Sequence, residues 1–526
     1  MNAQNAALPI NLTKNTQLLV HELNPGLNTN RFLYPFELDS SVKIFTTLKP
    51  FIGTLFDIPR FKKKNFIVRK IFKENLIIIQ DSATKFNLTI DPVFNFQFGR
   101  DLSDSLGTNL YTNTRGVIVR GNVGAKFSFE SSFYESQSTF PNYLKQFANT
   151  YKVVPGQGRW KNFKLTGYDY AFSSGIINFS PTPTLHFQVG NGKLFIGDGY
   201  RSLFLSDNAF NYPYLRISKQ FKIIQYTAIY AQLMNFSFGN VQTPANTEPL
   251  FQKKAASFQF LDIAITKFWN VGLFQSLLWE AADKNNKQNL HLTYLNPIPL
   301  TNPLLFGLNS TNNTSIGFST KIKLAKQVVI YGQYYIDALP ENNFKTSINN
   351  KTGYQAGAYW LNALSLKNLT FQLEYNSVRP YTYSHKKTEQ SYTHYNQPLA
   401  HPLQSNFTEL VALASYNYKR WGISIKYNYI QIGRDSIGRN YGNSIFASNN
   451  DAYYGVNSTS NELLQGIKTS VSIVDVKAHF ILKAPTGAKL FMGYFVRNET
   501  STTSSLYTKY FYVGFKTNMC NFYSDF

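Results

Sequence analysis

Apolar side chains, many of them aromatic, recur at every second position over long stretches of this chain. That period leaves little choice but extended strands with one apolar and one polar face. In Phe86-Asn-Leu-Thr-Ile-Asp-Pro-Val-Phe-Asn-Phe-Gln-Phe98, Phe86, Leu88, Ile90, Phe94, Phe96 and Phe98 share one face. Asn87, Thr89, Asp91, Asn95 and Gln97 share the other, and Val93 is the exception. The same alternation runs through 127–133, 371–376, 421–429, 474–482 and 511–516, with charged residues such as Glu374, Lys426, Asp475 and Lys477 opposite the aromatics. A soluble sandwich also alternates, but its strands are shorter and its outer face more charged. A membrane-spanning β-barrel requires this arrangement, apolar toward lipid and polar toward the lumen. The final residue, Phe526, is an aromatic of the kind that barrel-insertion machinery reads.

The 526 residues include 45 Phe, 35 Tyr and 5 Trp, and Tyr and Trp supply the girdles at membrane interfaces. Mean hydropathy is −0.25 and no run of 18 apolar residues exists, which excludes transmembrane helices and leaves a barrel open. The expected fold is all-β: a large antiparallel transmembrane barrel of about 18 strands, with 16 as second choice. Connections are uneven, as a barrel with short periplasmic turns and long outer loops demands. Short ones are Val123-Gly-Ala125, Lys419-Arg420 and Pro485-Thr-Gly487. Long ones are 135–168, 196–212, 296–314, 379–406 and 433–466. Residues 1–83 read differently from 84–526. They hold an Asn-rich start, the basic patch Arg60-Phe-Lys-Lys-Lys64 and a candidate helix from Phe66 to Ile77. We expect this region to be a periplasmic, plug-like extension, with the basic patch a solvated face. The segment from Met1 lacks the charged and apolar regions of an export signal, so the numbering is expected to start near a mature terminus.

Lys plus Arg number 52 and Asp plus Glu 29, a net charge of +23. Such a surplus suits an anionic partner, either lipopolysaccharide in the outer-membrane lipid or an acidic surface polysaccharide. Nucleic acid is a poor candidate, because the basic residues are scattered and no nucleic-acid module appears. The single Cys520 allows no intrachain disulfide. No nucleophile motif, zinc motif or phosphate loop is present, so neither catalysis nor a cofactor is expected. Gly190-Asn-Gly-Lys-Leu-Phe195 lacks dinucleotide-loop spacing and reads as a strand end. His385, His394 and His401 share one loop, but without carboxylate or cysteine at ligand spacing they do not form a metal motif.

The densest polar and aromatic cluster is Ile196-Gly-Asp-Gly-Tyr-Arg-Ser-Leu-Phe-Leu-Ser-Asp-Asn-Ala-Phe-Asn-Tyr-Pro-Tyr214. Asp198, Tyr200, Arg201, Asp207, Asn208 and Tyr212 fall within fifteen residues. Asp, Asn and Arg hydrogen-bond sugar hydroxyls while Tyr covers the apolar ring face. The same residues would serve a folded-in loop, held by an Asp–Arg pair, that seals the barrel. Arg379, Tyr381, His385, His394, Asn396 and His401 extend the candidate set, with the same two readings open.

Phe140-Pro-Asn-Tyr-Leu, Val153-Val-Pro-Gly-Gln-Gly-Arg159, Gly197-Asp-Gly-Tyr-Arg-Ser202 and Leu205-Ser-Asp-Asn208 resemble the RemB-type gliding-motility proteins of Bacteroidota. These stand within the broader Wzi-like capsule-assembly group of outer-membrane barrels. Arg379-Pro-Tyr-Thr-Tyr-Ser384, Asn396-Gln-Pro-Leu-Ala-His-Pro402 and Tyr523-Ser-Asp-Phe526 extend the resemblance from about residue 40 to the end. It implies an 18-stranded barrel with an N-terminal periplasmic plug and a non-catalytic role in holding or assembling surface polysaccharide. For the RemB-type branch it also implies a tie to gliding and to other envelope proteins. The short Tyr-Ser-Asp-Phe ending is poor in aromatics for a last strand. The other functions open to such a sequence are a pore for anionic or sugar solutes and a structural subunit of an envelope complex.

Overall fold

The computed structural model describes residues 33–34, 70, 74–105, 107–236, 251–282, 292–308, 311–325, 327–340, 347–451, 461–483 and 486–526. The basic patch at 60–64, and the candidate helix apart from Lys70 and its last four residues, lie outside these. Of those four, Ile77 opens a strand.

Eighteen long strands form one closed antiparallel barrel. They are β1 (Phe86–Asp101), β2 (Asn109–Val123), β3 (Phe127–Thr139), β4 (Gly167–Thr182), β5 (Leu185–Gly192) and β6 (Tyr212–Phe221). Next come β7 (Ile224–Asn235), β8 (Gln252–Ala264), β9 (Trp269–Glu280), β10 (Asn313–Ala325), β11 (Val328–Ala338) and β12 (Lys351–Leu361). The last are β13 (Leu369–Val378), β14 (Phe407–Tyr418), β15 (Trp421–Arg434), β16 (Ile467–Lys483), β17 (Ala488–Ser501) and β18 (Ser505–Lys516). Closure pairs β18 with β1, from Lys516 opposite Asn95 to Tyr510 opposite Asp101. An even strand count is what lets the first and last strands meet antiparallel. Two short pieces, Ile77–Asp81 and Trp160–Phe163, extend the free edges of β1 and β4.

The alternation seen in the sequence sorts the two faces. Phe98, Phe133, Leu373, Trp421, Ile425 and Phe511 are exposed on the outside, while Asp475, Glu374 and Asn428 are buried inside. Val93 breaks the polar set because the lumen is filled where it points. It packs with Ile118, Tyr134 and Phe172 against Met519, Cys520 and Phe522.

One sector of the outer wall departs from this rule. Ser257, Gln259 and Gln275 point outward from β8 and β9 yet are buried, because the connection from β9 to β10 folds back over them. Tyr230 donates to the Leu295 carbonyl (2.9 Å), Gln259 to that of Asn296 (2.5 Å), and the Tyr294 ring packs on Trp279 at 5.2 Å. Leu292, Ile298, Leu304 and Leu305 then face outward in place of the polar wall. The part of the 296–314 loop up to about Phe306 is thus a strap on the wall. Tyr230 and Gln259 meet polar backbone beneath it, and the strap covers Ser257 and Gln275.

The lumen is packed by three inward elements: 140–158 with helix α1 (Asn142–Tyr151), 193–211, and 379–406. The segment after β18 is a fourth. β18 ends at Lys516, and 517–526 turns back into the lumen, placing the Phe526 ring against Phe147 at 5.0 Å. Phe526 is therefore not in the last strand, which accounts for the aromatic-poor ending. A two-residue strand, Leu33–Tyr34, pairs with Phe195–Ile196 of the second inward element.

Candidate functional site

The 193–211 segment enters the lumen because its polar groups find partners on inward-facing strand positions. Asp198 pairs with Lys321 of β10 at 2.9 Å, and its carbonyl accepts from the Tyr359 hydroxyl at 2.7 Å. The backbone N–H groups of Tyr200 and Arg201 both donate to the Glu374 carboxylate, at 2.7 and 3.0 Å. Gly199 is required at this approach, since any side chain there would collide with that carboxylate. Arg201 is 1% exposed and stands between two acids, 3.0 Å from Glu409 and 3.2 Å from Asp525. Asp525 also binds Lys426 (2.9 Å) and the Tyr200 hydroxyl (2.7 Å). Burial raises the Asp525 carboxyl, but Arg201 and Lys426 outweigh it and hold the group below its ordinary value. Asp198 and Arg201 thus each find partners on other elements rather than each other.

Asp207 accepts from the Tyr523 hydroxyl at 2.9 Å, and Asn208 donates to the Pro398 carbonyl at 3.1 Å. Burial raises the Asp207 carboxyl, partly offset by Lys193. The same burial lowers the Lys193 ammonium to about 8. Tyr212 lies edge-on to His394, ring centroids 5.5 Å apart.

The 379–406 segment lies across the first. Arg379 donates to the Asn350 carbonyl at 3.3 Å. Tyr381 and Tyr383 both hold left-handed backbones, φ 63° and 72°, unusual for aromatic residues. Each is pinned at both ends. Tyr381 binds the carbonyls of Gly442 through its N–H and Asn440 through its hydroxyl; Tyr383 binds the Asp337 carboxylate and the Leu203 carbonyl. His385 Nδ1 accepts from the Lys387 N–H at 3.1 Å. His394 Nδ1 accepts from the Met234 N–H (3.1 Å), so Nε2 carries the proton toward the Asn211 carbonyl (3.2 Å). Burial lowers its pKa to about 3, and the ring is neutral. His401 Nδ1 accepts from the Leu403 N–H, and Nε2 donates to Glu409 at 2.8 Å. Burial lowers this group too, against the pull of Glu409. Asn396 donates to the Tyr151 carbonyl at 3.0 Å. The three histidines therefore go to separate partners.

Ten of the twelve candidates are buried; Arg379 and Asn396 are half-exposed. The structure brings Arg201, Tyr200 and His401 into one network and leaves Arg379, Tyr381 and His385 in a separate layer. The sequence reading missed the partners that make the network: Glu409, Lys321, Tyr523 and Asp525. Glu374 and Lys426 had been marked only as charged positions facing inward, which was the available signal.

No protein-family model matches the chain, and no curated protein matches it. Among solved structures it is similar to Wzi of Escherichia coli, described as an outer membrane protein involved in group 1 capsule assembly and a carbohydrate-binding β-barrel. The TM-score is 0.58 at 11% identity, covering 98% of this chain and 100% of that one. OprD of Pseudomonas aeruginosa gives a TM-score of 0.41 at 11% identity, covering 82% and 94%. OccAB2 of Acinetobacter baumannii gives 0.42 at 9%, covering 82% and 97%. The likeness to Wzi spans both chains and establishes the barrel fold.

Proposed function

We propose that this protein is a non-catalytic outer-membrane barrel that binds surface polysaccharide and helps assemble or retain it. The observation that carries the reading is the interior. The segments bearing the motifs that resemble the capsule-assembly group, 140–158, 193–211 and 379–406, fold inward and pack the lumen. A solute pore would keep that space open. The apolar outer belt supports a membrane setting, and the long loops are read as its outer end. The +23 charge favours an acidic polymer and anionic lipopolysaccharide as partners. Residues 1–83 act as a periplasmic plug ahead of the 84–526 barrel, a reading supported by the pairing of Leu33–Tyr34 with Phe195–Ile196. The RemB-type motifs support a role in gliding with partner envelope proteins, and that finer assignment rests on the motif resemblance.

The test is the ratio of cell-bound to shed polysaccharide in a deletion strain, against wild type and a complemented strain. Polymer should move to the medium while total synthesis holds. An unchanged ratio would remove the retention role. A large, steady conductance of the purified protein in a planar bilayer would favour the pore instead. Loss of surface spreading with retention intact would point to a structural subunit of a motility complex.

A further inference from the structure

A cavity of about 370 Å³ lies inside the barrel, between the wall of β1–β3, β17 and β18 and the inward segment 517–524, roofed by Phe140–Leu144 and Val154–Gln157. Its volume falls within the roughly 300–1,000 Å³ of small-ligand pockets. None of the twelve candidate residues lines it.

Its polar groups are incomplete. Lys489 and Lys516 sit directly opposite each other across β17 and β18, and both line the cavity. Neither makes a hydrogen bond or ion pair among the described residues; Lys516 only lies over the Phe491 ring at 5.3 Å. The nearby acid, Asp475, is taken by Lys477 at 2.7 Å and by the Tyr512 hydroxyl at 2.8 Å. Gln157 is 5% exposed and its Oε1 has no donor; the Asn95 Oδ1 beside Lys516 has none either. Like charges placed directly across strands are unfavourable, and so is a buried acceptor left without a donor. Two lysines want an anion, and two orphan acceptors want donors. A bare anion such as sulfate supplies only the first. A sugar acid supplies both, a carboxylate for the ammonium groups and hydroxyls for the amide oxygens. Phe140, Tyr510 and Phe522 line the same space and offer apolar faces to the ring.

We propose that this cavity binds one carboxylate-bearing pyranose unit of the polysaccharide. The proposal rests on the polysaccharide reading above and gives it a site and a sugar class. Lys489 and Lys516 hold the carboxylate, and Gln157 and Asn95 accept from ring hydroxyls.

The test uses the purified full chain in detergent, titrated calorimetrically with glucuronate and galacturonate. Glucose, galactose and inorganic phosphate serve as controls. At least one uronate should bind tenfold or more tighter than its neutral counterpart and than phosphate. A Lys489→Gln/Lys516→Gln variant should lose at least tenfold in uronate affinity, and Lys516→Arg should keep most of it. Gln157→Ala should lose several-fold. Heat-modifiable gel migration reports that each variant is folded. Equal binding of phosphate would overturn the sugar assignment. No preference for uronates, or an unaffected double variant, would mean that the cavity holds only water. Neither outcome touches the retention experiment. A deletion strain that sheds polymer while uronates fail to bind would overturn this site alone.

Discussion

The two sides of the lumen follow opposite rules. Toward β10–β15, opposite charges meet at full burial, Arg201 with Glu409 and Asp525 and Lys321 with Asp198, while His401 donates a hydrogen bond to Glu409. Toward β1–β3, β17 and β18, two lysines face each other and no acid pairs with either among the described residues. A buried polar network is rigid when every member is satisfied and costly when any is not. The first side has the makings of a seal that holds the inward loops in one arrangement. The second is unfinished in the way that a binding surface is unfinished. The difference teaches that burial alone does not separate sealing residues from ligand residues; the pairing of their charges does.

The largest blow to the closed side is Arg201→Ala. It leaves the Glu409 carboxylate buried without a cation and Asp525 with Lys426 alone, a loss of about 3–5 kcal/mol. Denaturant unfolding in detergent should show it, with single-channel current appearing as the loops loosen. A variant as stable as wild type would break the contrast. Asp525→Asn comes next. It removes one charge from the pair with Arg201 and should cost about 1.5–3 kcal/mol by the same measurement.

The pH dependence follows from His394, enclosed by the Asn211 carbonyl, the Met234 N–H and the Tyr212 ring, with Lys254 nearby. Its folded pKa of about 3 lies below the roughly 6.5 of the unfolded chain. Between those values the unfolded state binds a proton that the folded state does not. Stability is therefore intact above about pH 6.5 and falls with pH toward about 3, by roughly 2 kcal/mol at pH 5. His401, depressed by burial in the same direction, adds to the slope. Melting followed by heat-modifiable migration from pH 7.5 to 4 should show the decline. His394→Gln should flatten it, and a slope that survives both His394→Gln and His401→Gln would assign it elsewhere.

The barrel was legible in the sequence because its wall obeys a local rule. Phe371, Leu373 and Tyr375 face out and Gln372, Glu374 and Asn376 face in, since period two and a two-solvent environment leave no other choice. Even the exception at Val93 has a cause, the 517–526 segment, but that cause lies more than 400 residues away. The interior was legible only as a list of polar and aromatic residues. Nothing near Arg201 in the chain announces Glu409 or Asp525. The meeting depends on 517–526 reversing into the lumen, a path that no local pattern encodes. The strap over Gln259 and Gln275 was missed for the same reason: a loop that leaves the top of β9 gives no local sign that it will turn down the outer wall.

The smallest expected effect is the sharpest test of the contrast. Lys489→Gln removes one of two like charges held opposite each other, and no hydrogen bond or ion pair goes with it. Were Lys489 a sealing residue, its loss would destabilise the barrel as Arg201→Ala does. If it is kept for an outside partner, the apo protein should be unchanged or more stable by about 0.2–1 kcal/mol, the scale of a relieved cross-strand repulsion. Adding sodium chloride separates the cases further. Screening should erase any gain in the variant by relieving the same repulsion in wild type. A substitution that stabilises the empty barrel while weakening uronate binding would mark a position where stability has been given up for recognition. A loss of 2 kcal/mol or more would place Lys489 with Arg201 and leave the lumen sealed on both sides.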